Sequence, residues 1–160
     1  MRFVLALDDL LAKAVSKKLE GRVEIFRHPQ MREHGDDIVR DAVMREPSVL
    51  VIGGATWNPL YLLERWRMPY EVPVVVVLPD LEWDRADRAA KINAFSVLSM
   101  KELKRKLPTS IVAECDIATA WLDGRLSRPS LPVVVQPSPE QQEPVARSAS
   151  ARILRPAFPE

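Results

Sequence analysis

Two adjacent carboxylates, Asp8 and Asp9, directly follow an apolar run at residues 3–7. Such a run is typical of a short buried strand, and the two acids would then lie at its carboxyl end. Carboxylate oxygens are ligands that Mg²⁺ prefers, so the pair predicts a divalent-cation site. Asp also favours the start of a helix, where its charge meets the helix dipole, so helix capping is the alternative role.

Other residues that could bind a ligand or react occur in less specific patterns. His28 and His34 are separated by six positions and would form a metal site only with nearby acids, so solvated loop histidines are the simpler interpretation. Gly53 and Gly54 match no glycine-rich phosphate loop, and we expect them to form a turn. Cys115 is the only cysteine and falls on an apolar helical face, where it would act as a small hydrophobic residue.

Aromatic and basic residues suggest candidate interfaces. Trp57 and Trp83 follow predicted strands on loops, where a large aromatic side chain could form the centre of a contact. A basic patch on the fifth predicted helix consists of Lys101, Lys104, Arg105 and Lys106, and Arg88 on the fourth helix is a further interface candidate. Aromatic residues are not interspersed among them, so a solvated helix face or a protein contact is favoured over nucleic acid.

Apolar periodicity predicts strands that alternate with helices. The predicted strands are 3–7, 23–26, 49–52, 72–78 and 95–98, and the predicted helices are 9–20, 36–46, 58–67, 84–94, a fifth from Ser99, and 110–126. The first helix would place Leu10, Leu11, Ala14, Val15 and Leu19 on its inward face. Ser99 and Glu102 form a predicted capping box, and Pro108 is expected to end the fifth helix.

Strands that alternate with helices favour parallel pairing through right-handed crossovers. The predicted fold is therefore α/β, with a five-stranded parallel doubly wound sheet of order 2-1-3-4-5 and an extra C-terminal helix. The apolar stripe of that last helix has two predicted uses. It would either cover the edge of the fifth strand, or leave that edge open for a homodimer through the fourth and fifth helices.

Composition limits the organisation and the function. A chain of 160 residues with 47% apolar residues suffices for one domain, which we place at 1–126. Residues 127–160 hold 7 of the 14 prolines and no glycine, so we predict a flexible tail that folding does not need. The net charge of +1 argues against a dedicated nucleic-acid or membrane-surface protein. No export signal or membrane span is apparent, and a cytoplasmic location is expected.

Several stretches resemble a response-regulator receiver domain. Residues 3–9 resemble its opening, 45–52 the approach to its third strand, 72–77 its fourth strand, and 86–98 its fourth helix and fifth strand. A receiver carries a phosphoacceptor Asp where this chain has Gly53 and a Ser or Thr where it has Leu78. It also carries a Lys directly after the fifth strand, whereas Lys101 lies within the following helix. The resemblance, over residues 1–107, implies a flavodoxin-like fold and a degenerate receiver, or pseudo-receiver.

These observations favour a non-enzymatic regulatory or scaffolding module, of the kind found in bacterial signalling, that acts by protein–protein contact. No cofactor is expected beyond the Mg²⁺ that Asp8 and Asp9 could hold. One alternative is a small-molecule or nucleotide binder whose cleft would be lined by Asp8, Gly53 and Trp57. The other is a DNA-transaction accessory protein that uses the basic helix.

Overall fold

The structure is a computed structural model that describes residues 1–21, 24–27, 35–54, 59–66 and 68–131. Its strands are β1 (Arg2–Leu7), β2 (Glu24–Arg27), β3 (Val49–Gly53), β4 (Val74–Leu78) and β5 (Ser96–Ser99). Its helices are α1 (Asp9–Leu19), α2 (Gly35–Met44), α3 (Leu60–Arg65), α4 (Trp83–Lys91), α5 (Met100–Leu103) and α6 (Leu107–Leu122). Within the described ranges, no helix has the length and apolar content needed to cross a bilayer.

The strands form one sheet in the order β2-β1-β3-β4-β5, and every neighbouring pair is parallel. β1, β3 and β4 are buried along almost their whole length, because helices cover both faces of the sheet. The predicted α/β class with a parallel sheet is confirmed.

Successive side chains of a strand point to opposite faces of the sheet, so the core has two layers. Phe3, Leu5 and Leu7 of β1 pack with α1 and α6 on one face. Val4 and Ala6 point to the opposite face, where residues of α2, α3 and α4 cover them. The core therefore consists of one apolar cluster above the sheet and one below it.

The last helix differs from its prediction. α6 begins at Leu107 rather than 110 and ends at Leu122, and Pro108 lies in its first turn instead of ending the preceding helix. A proline is tolerated there because a first-turn N–H has no acceptor within the helix. The apolar stripe of α6, including Ile111 and Cys115, is buried against the face of the sheet and α1. α6 also lies against β5, so the predicted contact with the fifth strand is present, while the covering of the β5 edge stays a prediction.

The predicted fifth helix is much shorter than expected. α5 is a single turn that continues into a 3₁₀ turn at Lys104–Lys106 and then into α6. One of the two hydrogen bonds of the predicted capping box is present: the Glu102 N–H donates to the Ser99 hydroxyl at 3.3 Å. The basic residues of this region therefore lie on two short turns rather than on a regular helix face.

The inward face of α1 also differs from its prediction. Its buried residues are Ala12, Val15, Ser16 and Leu19, whereas Leu10 is 83% exposed. Val15 and Leu19 are buried as predicted, but Ala12 and Ser16 take the other buried positions. Leu10 lies in the first turn, outside that face.

The predicted tail contacts the domain over its first residues. The Arg128 side chain donates hydrogen bonds to the backbone of Tyr70 and Asn93, and Leu131 packs against the second core cluster. Contacts with the domain thus extend five residues beyond the boundary predicted at 126. Residues 132–160 lie outside the described residues, so their predicted flexibility stays a prediction.

Candidate functional site

The carboxyl ends of β1, β3, β4 and β5 bring most of the predicted site residues to one edge of the sheet. Leu7 is in register with Gly53, Gly53 with Val77, and Val77 with Leu98. Asp8 directly follows β1, so it meets the end of β3 at this edge. In sheets of this type, ligands bind at the carboxyl edge, where connecting loops diverge. His28 and Trp57 lie outside the described residues, so the predicted cleft around Trp57 stays a prediction.

The two acids of the predicted metal site have different surroundings. Asp8 is half-buried and occupies the N-cap position of α1, where its backbone carbonyl accepts the Ala12 N–H at 2.8 Å. Its side chain makes no capping hydrogen bond to the helix. Asp9 is exposed and forms an ion pair with Lys13, one turn further along α1, at 2.8 Å. Both acids therefore lie at the start of α1, Asp8 as the N-cap residue without a side-chain cap and Asp9 in the first turn.

No group of three or more potential metal ligands occurs among the described side chains. A Mg²⁺ site at this edge would have to rely on Asp8 with backbone oxygens and water, because Asp9 is engaged by a lysine. The magnesium site at Asp8 and Asp9 stays a prediction.

The end of β3 approaches its neighbours too closely for any side chain. Gly53 has φ +134°, and a Cβ built on it would lie 1.9 Å from the carbonyl oxygen of Val77. A Cβ on Gly54 would lie 2.4 Å from Oδ2 of Asp8. The Gly54 N–H also donates to Val77 O at 3.2 Å, which holds the end of β3 against β4. The Asp8 carboxylate therefore occupies the space that a side chain at position 54 would need.

Leu78 and Lys101, the two positions after β3 that the comparison with a receiver singled out, do not place a phosphate-binding group at the ends of β4 and β5. Leu78 is fully buried in the second core cluster. Lys101 is exposed on α5, and its backbone N–H donates to Pro79 O at 3.1 Å, which ties α5 to the loop after β4. The hydrogen bond fixes the backbone of α5 and leaves the Lys101 ammonium at the surface.

A cationic surface flanks β5. Arg88 on α4 and the residues Lys101, Lys104 and Arg105 are exposed, and none of them forms an ion pair with another described residue. Two acids in and just before α4 are engaged within the chain. Asp80 pairs with Arg85, and Asp87 pairs with Lys91 at 2.8 Å. Hydrogen bonding to the Asp87 carboxylate, together with its negative charge, raises the pKa of Lys91.

The described aromatic cluster is not the one that sequence reasoning selected. Trp83 begins α4, but its side chain lies outside the described residues, as does all of Trp57. The cluster instead forms around Trp121, whose ring centroid lies 5.6 Å from that of Phe95 and 6.4 Å from that of Tyr70. These three residues come from separate elements, and no local sequence pattern links them.

Cys115 is unsuited to nucleophilic chemistry. It is fully buried in the cluster between the sheet, α1 and α6. Burial raises the pKa of the thiol to about 12, with further upward contributions from the charges of Asp116 and Glu114. The thiol is therefore protonated at neutral pH, as expected of a cysteine that serves as a hydrophobic core residue.

Comparisons with known proteins identify the fold. No protein-family model and no curated protein sequence matches the chain. The crystal structure of a DNA-binding response regulator of the LuxR family from Staphylococcus aureus matches with a TM-score of 0.52 and 17% identity, over 73% of this chain and 97% of that chain. A response regulator from Hahella chejuensis matches with a TM-score of 0.53 and 14% identity, over 79% of this chain and 99% of that chain. This chain is therefore similar in fold to response-regulator structures, which confirms the expected receiver-like fold.

Proposed function

We propose that this chain is a non-enzymatic regulatory module with a five-stranded receiver-like fold, and that it acts by protein–protein contact without aspartyl phosphorylation. The fold similarity to response regulators supports the signalling role. The composition of the carboxyl edge supports the loss of phosphoryl chemistry. In this proposal the chain is a pseudo-receiver.

The observation that carries the proposal is the close approach at Gly53. An acyl phosphate needs an acceptor carboxylate, and position 53 has neither a carboxylate nor space for a Cβ next to Val77 O. Asp8 provides the nearest described carboxylate, and it is packed over Gly54. The geometry therefore supports a surface whose state does not depend on phosphate.

Charge indicates where such a module would bind. The cations on α4 and α5 flank β5 from opposite faces, since Ala89 of α4 packs in the second core cluster and Met100 of α5 packs against the first. The four exposed cations form no ion pair with another described residue, which leaves them available to a partner. We propose a protein partner with an acidic surface at this site. A homodimer through the same surface is the second arrangement, in which the exposed Glu102 of one copy would pair with these cations in the other.

Intact mass after treatment with a phosphodonor tests the proposal. The full chain is incubated with Mg²⁺ and acetyl phosphate and then weighed, with a phosphorylatable receiver as the positive control. We expect no gain in mass. A base-labile gain of one phosphoryl group would contradict the proposal, and its loss in Asp8→Asn would identify Asp8 as an unexpected acceptor.

A further inference from the structure

The guanidinium of Arg128 lies among three aromatic rings. Its central carbon is 4.3 Å from the ring centroid of Tyr70, 5.2 Å from that of Trp121 and 5.5 Å from that of Phe95. Distances below about 6 Å are those at which the negative face of a ring attracts a cation. The rings also contact one another, so together they form a single pocket around one charged group.

Two backbone carbonyls complete the surroundings of this guanidinium. Arg128 Nη1 donates to the carbonyl of Tyr70 at 3.2 Å, and Nη2 donates to the carbonyl of Asn93 at 2.7 Å. Both carbonyls belong to turns that precede strands, Tyr70 before β4 and Asn93 before β5. Asn93 has φ +56° in the turn that ends α4. The pocket therefore lies at the amino edge of the sheet, opposite the candidate functional site.

The pocket is placed where the chain passes from one layer to the other. Trp121 belongs to α6 and packs against the first core cluster, whereas Leu131 packs against the second. The segment between them must cross the amino edge of the sheet, and Arg128 lies on that crossing. The contacts of Arg128 thus hold the backbone where the C-terminal segment leaves the domain.

The geometry points to a guanidinium-binding site at the amino edge of the sheet, formed by the rings of Tyr70, Phe95 and Trp121 and two turn carbonyls, with Arg128 of the same chain as its ligand. The site is selective for guanidinium over ammonium. A planar guanidinium can stack on a ring and donate to two separate carbonyls at once, whereas the ammonium of a lysine is a compact point charge on a flexible stem. The site fastens residues 127–131 to the domain and fixes the point at which the remaining tail begins.

Backbone dynamics of the full chain test this assignment. The measurement is the ¹⁵N order parameter of Ser127, Ser130 and Leu131. We expect values near ~0.8 in the wild type and below ~0.6 in Arg128→Ala, which correspond to rigid and flexible backbone respectively. Arg128→Lys should also fall well below the wild type. Tyr70→Leu should give an intermediate loss, because it removes one ring and keeps the backbone carbonyl.

Arg125→Ala is the matched control. Arg125 is another arginine close to this segment, but its side chain is 66% exposed and pairs with Asp123 two residues away. This variant should keep the order parameters of the wild type. The assignment is wrong if Arg128→Ala leaves residues 127–131 as rigid as in the wild type, if Arg128→Lys retains full rigidity, or if Arg125→Ala releases the segment equally. The indole resonance of Trp121, which should shift in Arg128→Ala, provides a second readout from the other side of the contact.

Discussion

Gly53→Ala should destabilise the protein far more than an ordinary glycine substitution. The new methyl group would lie 1.9 Å from Val77 O, whereas a close carbon–oxygen contact is about 3.3 Å. β3 and β4 would have to separate by about 1.4 Å at this point, since the obstructing atom is backbone and cannot rotate away. The hydrogen bond from the Gly54 N–H to the same oxygen would be weakened by this movement.

Three contributions add to the expected cost. A φ of +134° in a non-glycine residue costs about 1–3 kcal/mol. Overpacking costs about 1–3 kcal/mol, and the weakened hydrogen bond about 0.5–1.5 kcal/mol. The total is about 2.5–7.5 kcal/mol, a large share of the roughly 5–15 kcal/mol that typically holds a domain folded.

Urea denaturation with a matched control measures this cost. Gly124 has φ +71°, and a Cβ on it would meet no atom within 4 Å, so Gly124→Ala bears only the backbone penalty of about 1–2 kcal/mol. Gly53→Ala should therefore lose at least about 1.5 kcal/mol more than Gly124→Ala, because it also overpacks the strand contact and weakens the hydrogen bond. A free energy of unfolding that falls equally in the two variants would refute the reasoning. Gly53→Asp would carry the same Cβ and should not create a working phosphoacceptor.

Three further outcomes are expected. Burial raises the pKa of the Cys115 thiol to about 12, so above pH 9 the unfolded chain loses a proton that the folded chain keeps. The wild type should then lose about 1.4 kcal/mol of stability per pH unit relative to Cys115→Ala, and parallel pH profiles in urea titrations would contradict this. Truncation after Leu131 should leave the thermal midpoint unchanged. Truncation after Leu126 should lower it by about 2–4 °C for each kcal/mol by which residues 127–131 stabilise the domain. Equal midpoints for the two truncated proteins would mean that this segment contributes nothing to stability. If light scattering detects a dimer, Arg88→Glu combined with Lys101→Glu should dissociate it, and a dimer that persists must use another interface.

The strands and most helices could be predicted because the determining information is local. The apolar runs of β1, β3 and β4 are buried on both faces, and their composition alone indicates this. Gly21 has φ +80° just after α1, as expected of a glycine that follows a helix. The ends of α6 were harder to predict, because Pro108 is compatible both with ending one helix and with starting the next.

The site could be predicted only in part, because its decisive features depend on distances between separate elements. The sequence identifies a glycine at position 53, but only the structure brings Val77 O within 1.9 Å of its missing Cβ. The Arg128 contacts join residues up to 58 positions apart, and no spacing rule indicates them. Leu10 fits the apolar periodicity of α1, yet it is exposed, whereas the small residues Ala12 and Ser16 are buried.

The response of the carboxyl edge to a phosphoryl analogue shows whether this module works without phosphorylation. Amide NMR spectra of the full chain are recorded with Mg²⁺ alone and with Mg²⁺ plus beryllium fluoride, and a phosphorylatable receiver serves as the positive control. We predict that the resonances of four residues at this edge are the same in both conditions: Asp8, Gly53, Gly54 and Ser99. Saturable shifts at these residues that require beryllium fluoride would show that the edge still binds a phosphoryl group, and would contradict the proposal of a phosphorylation-independent module.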